Sequence, residues 1–171
     1  ICGDGGYDNG QAWRYDGVTY TLLGTLAGDN VSTASKINVH DHVALTSRDG
    51  NSFLKPASAV LSQPGMPLQQ IQLDAWATHL NDNDQVCGYV DLKAFRYTPG
   101  TGVLLLGPLG SKPLTWASSI NIHGDVVGEA AAANGNGHVP FLYTDATGIQ
   151  EIGNFGGSAG AADINDQRNV I

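Results

Sequence analysis

The chain has 171 residues, a formal net charge of −8 and only 8 lysines and arginines. Its length suits one domain, and a hydrophobic fraction of 42% is enough to bury a core. Nucleic acids and anionic membrane surfaces are poor partners for it, because both bind clusters of basic side chains. No apolar run reaches the roughly 18 residues that a membrane helix needs, so we expect no membrane insertion.

Short matching segments stand at the two ends of the sequence. Ile1-Cys2-Gly3 matches Val86-Cys87-Gly88, so we expect the chain to begin within the second strand of a repeat unit, and Val170-Ile171 has the same position. A strand over 159–165 that pairs with the N-terminal strands would close the units into a ring. The alternative is a fragment of a larger propeller, left open or completed by an oligomer or another partner.

An apolar residue followed by asparagine sets the period of the sequence. The asparagines recur at intervals of 43, 40 and 44 residues, as Asn38, Asn81, Asn121 and Asn165. An aromatic residue precedes each of them, at Trp13, Phe53, Phe95 and Phe141. We therefore expect a single repeat domain over residues 1–171, with units of about 42 residues that end near 38, 81, 121 and 165.

The third unit contains four short apolar runs separated by turn residues, which indicates strands rather than helices. The runs cover 94–97, 103–106, 116–121 and 125–129. Pro99, Gly100 and Gly102 separate the first two, and these residue types favour turn dihedrals. Four strands in roughly 40 to 50 residues are typical of a propeller blade. We predict an all-β fold, a β-propeller or propeller-like array of four four-stranded repeats.

Two segments of this unit resemble a known family. AFRYTPGTGVLLLGPLG (94–110) and WASSINIHGDVVGEA (116–130) are similar to the bacterial probable extracellular repeats of the HAF family. Its units run approximately His-Ala-Phe-Leu-Tyr, then Asp-Leu-Gly-Thr-Leu-Gly-Gly, then Ala-Ile-Asn-x-x-Gly-x-Val-Val-Gly. The likeness covers nearly the whole chain except 55–68, and the strand order also resembles a kelch blade. It implies a propeller-like protein that is extracellular or at the cell surface, and it carries no assigned activity.

The two cysteines occupy equivalent positions in units that are not adjacent. A disulfide requires Cα atoms about 4.4 to 6.8 Å apart, which is closer than we expect for Cys2 and Cys87. We therefore predict two free, buried thiols.

Acidic and amide side chains cluster in two loops. Asp4 and Asp8 lie in the first loop, and Asp82 and Asp84 lie in the second. Such oxygen-rich loops are candidate Ca²⁺ ligands, although their spacing is not that of an EF-hand. The alternative is that these residues, like the repeated asparagines, form tight turns or hydrogen bonds between units. No other cofactor is expected.

Two tryptophans break the symmetry of the repeat. Trp76 and Trp116 both lie five residues before a repeated asparagine, where the other units have Thr33 and Gly160. Aromatic faces at this position are candidate ligand-binding surfaces for sugars or for a partner's apolar side chain. The alternative is that both fill the core between units.

The sequence favours a secreted or surface-exposed binding module, without catalytic activity, for a protein or glycan ligand. In keeping with this interpretation, we assign no catalytic residue to the chain. The alternatives are a carbohydrate-active hydrolase, and a structural segment of a larger surface protein with no ligand of its own.

Overall fold

The computed structural model describes residues 1–4, 10–52, 55–153 and 156–171. This part of the chain contains strands and no α-helix, so no helix that could span a membrane is found in it. The all-β prediction is confirmed. The strands are β1 (Cys2–Gly3), β2 (Trp13–Tyr15), β3 (Tyr20–Leu22), β4 (Val31–Ile37), β5 (Val43–Arg48), β6 (Ser58–Ser62), β7 (Gln69–Leu73), β8 (Ala75–Leu80), β9 (Val86–Val90), β10 (Lys93–Thr98), β11 (Gly102–Leu106), β12 (Leu114–Ile120), β13 (Val126–Ala131), β14 (Val139–Thr144) and β15 (Gly148–Glu151).

The strands form four antiparallel sheets whose order follows the chain. They are β1–β3, β4–β7, β8–β11 and β12–β15, so the first sheet has three strands and each of the others has four. The apolar runs predicted in the third unit correspond to β10, β11, β12 and β13, with ends that agree within two residues. The prediction of repeated small sheets is therefore confirmed, although the first sheet has three strands where four were predicted.

The boundaries of the sheets along the chain differ from the unit boundaries predicted from the sequence. Asn38, Asn81 and Asn121 each follow the first strand of a sheet, because β4, β8 and β12 end one residue earlier. The turn at the asparagine joins two strands of the same sheet. Three of the repeated asparagines therefore mark a sheet each, while Asn165 follows the isolated bridge between Ile164 and Val170, and the predicted unit ends at 38, 81 and 121 fall inside the sheets.

Segment 55–68, which departs from the repeat pattern, nevertheless contains the regular strand β6. Val60 of β6 is in register with Leu45, just as Phe95 is in register with Gly88. An aliphatic side chain therefore fills the position that the aromatic residue has in the other sheets. Phe53, the aromatic expected for this unit, lies outside the described residues.

Each interface between neighbouring sheets has its own apolar cluster. Phe95 is fully buried and packs in one cluster with Ala44 and Leu61 of the preceding sheet. Phe141 packs in the next cluster with Cys87 and Leu106. Each sheet therefore buries its faces against the sheets beside it in the chain.

The ends of the described array do not pair with one another. Ile164 forms an isolated bridge with Val170, within a hairpin of its own, and β1 pairs with β2. No strand pairing among the described residues joins the first sheet to 159–171. The closure considered above is absent from this part of the structure.

Candidate functional site

The four asparagines hold four turns of the same form. In the second turn, Asn81 Oδ1 accepts hydrogen bonds from the backbone N–H groups of Asn83 and Gln85, both at 3.0 Å. The residue three positions after each asparagine has a positive φ, at Asp41, Asp84, Gly124 and Arg168. The asparagine side chain thus reinforces a turn that backbone hydrogen bonds also close, in this case from the Asn81 N–H to the Gln85 carbonyl at 3.0 Å and from the Asp84 N–H to the Asn81 carbonyl at 3.2 Å.

The same asparagines also connect successive turns. Asn38 Nδ2 donates to the Asn81 carbonyl at 3.1 Å, Asn81 Nδ2 donates to the Asn121 carbonyl at 2.7 Å, and Asn121 Nδ2 donates to the Asn165 carbonyl at 3.3 Å. The amides of Asn38, Asn81 and Asn121 each donate two hydrogen bonds within the fold. These three residues are therefore part of the scaffold.

The acidic residues considered for Ca²⁺ have other partners where they are described. Asp82 Oδ1 accepts from the Val39 N–H at 3.1 Å, and Asp84 Oδ1 accepts from Asn38 Nδ2 at 2.8 Å and contacts His42 Nδ1 at 2.7 Å. Asp8 lies outside the described residues, and the structure does not bring Asp4 together with the second loop in a metal-binding group. Within the described ranges, no group of three or more His, Cys, Asp or Glu side chains could hold a metal ion.

Both cysteines are free thiols. Cys87 is fully buried, and burial raises its pKa to about 12, so it stays protonated near neutral pH. Cys2 is only half-buried, so the expectation of burial holds for one of the two. Neither is a lowered-pKa thiolate of the kind that acts as a nucleophile.

Trp76 lies in an open groove between the second and third sheets. The groove has a volume of about 440 Å³, and Arg48, Asp49, Pro56 and Asp74 line it with the indole. Trp76 is 39% exposed although it belongs to the first strand of its sheet. The groove thus combines an aromatic platform with charged side chains, which is a typical arrangement for binding polar ligands.

Trp116 has the same repeat position but a different environment. Its ring stacks on His138, with centroids 5.8 Å apart and an interplanar angle of 17°. His138 is held in place by Glu129, whose Oε2 lies 3.0 Å from Nδ1, and by the Gly135 carbonyl, 2.9 Å from Nε2. A ligand could reach this face of Trp116 only by displacing His138. Of the two candidate tryptophans, only Trp76 offers an open groove.

Sequence reasoning missed a second group of polar side chains. The residues two positions before the asparagines are Lys36, His79, Ser119 and Asp163, one from each unit. Lys36, His79 and Asp163 line a pocket of about 190 Å³ with Asp82 and Asp166. The available signal was that this position is polar and differs in every unit, whereas neighbouring scaffold positions repeat.

The interactions in this pocket perturb two of its groups. The hydrogen bond from Ser119 Oγ, at 2.5 Å, lowers the pKa of Asp163. Burial lowers the pKa of His79 to about 4; nearby Lys36 adds to this effect and Asp163 opposes it. Ser119 Oγ donates to the Asp163 carboxylate, and the lowered pKa of that carboxyl makes it a weak base for activating the hydroxyl.

No family model, curated protein or solved structure matches the chain.

Proposed function

We propose that this protein is a propeller-like, non-catalytic recognition module of the cell exterior that binds a glycan in the Trp76 groove. The observation that carries the proposal is the exposure of Trp76 inside a groove, whereas His138 covers Trp116 at the same repeat position. The repeated asparagines stabilise the fold in every unit. A ligand-specific role is expected instead at a position that differs between units, such as that of Trp76.

The groove has the two properties that sugar binding requires. An exposed indole presents an apolar face to the C–H face of a pyranose ring, while Arg48, Asp49 and Asp74 can pair with hydroxyl groups. Tyr89 is the direct cross-strand partner of Trp76, so the two side chains start from the same face of the sheet. The groove also lies within the volume range of small-molecule sites, roughly 300 to 1,000 Å³.

The architecture supports presentation of such a site. Four small sheets stacked along the chain, each buried against its neighbours, are the arrangement from which propellers are built. Gly-rich turns, low charge density and a net charge of −8 suit an extracellular or cell-surface protein.

The proposal predicts a glycan ligand that depends on Trp76. A glycan array identifies the ligand, and titration calorimetry on the best hit gives the dissociation constant. We expect Trp76→Ala to weaken binding about 30-fold or more, which is the effect of removing a central aromatic contact.

Trp116→Ala is the matched control, because it removes the same residue type at the same repeat position. It should leave the affinity within a factor of about two, the small effect typical of residues outside the contact, and Trp116→Phe replaces it if folding fails. Binding to no glycan, or equal losses in both variants, would overturn the proposal. Turnover of chromogenic glycosides by the wild type would make the protein a hydrolase instead.

A further inference from the structure

The loop between β13 and β14 contains two consecutive Asn-Gly pairs, Asn134-Gly135 and Asn136-Gly137. All four residues are exposed. We propose that Asn136 is a site of spontaneous deamidation through a succinimide, and that the fold protects Asn134 from the same reaction. The modification would give this loop a new negative charge without any enzyme.

The reaction needs only the chain and water. The Gly137 backbone nitrogen loses its proton to solvent and attacks Asn136 Cγ, and the tetrahedral adduct expels ammonia to leave a five-membered succinimide ring. Water then adds to either ring carbonyl and opens the ring, giving aspartate or isoaspartate. Glycine in the following position favours the attack because it has no Cβ to hinder rotation of the backbone.

Asn134 is held away from this reaction at both reacting groups. The Gly135 nitrogen, which would be its nucleophile, donates to the Ala132 carbonyl at 2.8 Å. The Asn134 side-chain Oδ1 accepts from the Asn136 N–H at 3.0 Å. Attack on Asn134 Cγ therefore requires the turn to open first.

Asn136 lacks both restraints. Within the part of the chain that the structure describes, neither its side-chain amide nor the Gly137 N–H takes part in a hydrogen bond. Among the described contacts, Gly137 is held through its carbonyl, which accepts from Lys112 Nζ at 2.9 Å. The nucleophile and the electrophile are thus both available without breaking a hydrogen bond of their own.

The product changes the charge of a loop that contacts Trp116 indirectly. His138, which stacks on Trp116, is two residues from Asn136 and bonds to Gly135 in the same loop. A carboxylate at position 136 would lie next in sequence to the residue that binds Lys112. Deamidation therefore adds an acidic group to the surface beside the covered tryptophan, away from the Trp76 groove.

The test follows both asparagines in the intact, folded chain by peptide mapping and mass spectrometry during incubation at mildly alkaline pH. We expect Asn136 to convert first, with both aspartate and isoaspartate products, and Asn134 to react about fivefold more slowly, the effect of one ordinary backbone hydrogen bond. In urea the same chain should lose this difference.

Asn136→Gln should remove the fast conversion, because its longer side chain cannot form the five-membered ring readily, while Asn134→Gln should leave it. The proposal fails if Asn134 converts as fast as Asn136 in the folded chain. It also fails if Asn136 remains an amide under conditions that convert it in urea.

Discussion

At the scale of single residues, the structure distinguishes side chains that stabilise the fold from side chains that could serve a binding site. His79 belongs to the second kind. Its Nδ1 is buried and has no hydrogen-bond partner among the residues that the structure describes, and the side chain shares a pocket with Lys36 and Asp163. Burying a polar atom without a partner costs free energy, and the cost is greater for a charged imidazolium, so the fold favours the neutral form of His79.

This environment predicts an acid-sensitive stability. Burial lowers the pKa of His79 from 6.5 to about 4. As the pH falls below 6.5, the imidazole therefore becomes protonated in the unfolded chain while it stays neutral in the folded chain. The free energy of unfolding should drop by about 1.4 kcal/mol per pH unit over this window, and by about 3 kcal/mol in total. Asp163 titrates below this range, since its pKa is lowered from 3.8.

Urea denaturation between about pH 7 and pH 4.5 measures the effect. His79→Gln cannot titrate, so its stability should fall less steeply with acid than that of the wild type, whatever its stability at pH 7. The other four histidines are common to both proteins and cancel in the comparison. Parallel pH dependences in the two proteins would contradict a buried, neutral His79.

At the scale of strands, the first strand of each complete sheet has a β-bulge at the same place. The register shifts lie between Ala34 and Lys36, between Ala77 and His79, and between Ala117 and Ser119. The extra residue turns its hydroxyl towards the next sheet in two cases: Ser35 Oγ donates to the Ala77 carbonyl at 2.6 Å, and Thr78 Oγ1 donates to the Ala117 carbonyl at 2.9 Å. The bulge therefore joins neighbouring sheets.

Glycine stands opposite the bulge in β9 and β13, where the facing backbone approaches closely, whereas Leu45 stands opposite it in β5. A Cβ on Gly128 would lie 2.0 Å from the Trp116 carbonyl oxygen, and one on Gly88 would lie 1.9 Å from that of Trp76. Gly128→Ala should therefore destabilise the protein by about 1–3 kcal/mol, because the backbone of β12 has to shift. Gly157→Ala, with open space around the new methyl group, is the control. Equal urea midpoints for Gly128→Ala and the wild type would contradict the close approach.

The part of this architecture that could be predicted from sequence is the part that depends on residue type. The turn at each asparagine needs a short side chain that accepts two backbone N–H groups, so it left a visible period. The repeat pattern did not reveal β6, because Val60 stands where the other sheets have an aromatic residue. Packing between sheets requires side-chain volume at this position, and an aliphatic residue provides enough of it. The sequence did not show that Lys36, His79 and Asp163 line one pocket, because they come from three units more than 40 residues apart. Whether the ends meet depends on how the sheets are stacked, which no single residue encodes.

At the scale of the whole molecule, the asparagine side chains form a series that runs through all four turns. Each amide donates to the carbonyl of the next asparagine, from Asn38 to Asn165. A second series of contacts links the same turns: His42 bonds to Asp84, and Arg168 Nε donates to Asp125 Oδ2 at 2.6 Å. Polar contacts at this edge thus fix the order of the sheets, while the apolar clusters supply most of the buried area.

This series predicts different effects for one substitution at two equivalent positions. Asn81→Asp keeps the acceptor oxygen within its own turn, but it places a carboxylate oxygen near the Asn121 carbonyl, where the amide now donates at 2.7 Å. We expect it to lower the free energy of unfolding by roughly 2–3 kcal/mol, the cost of an unpaired buried polar group. The Asn165 amide donates to Gln167 within its own turn and is exposed, so Asn165→Asp should cost no more than about 0.5 kcal/mol. Urea denaturation of both variants measures the difference. Equal losses would mean that the asparagines act only within their own turns, and that apolar packing alone holds the sheets in series.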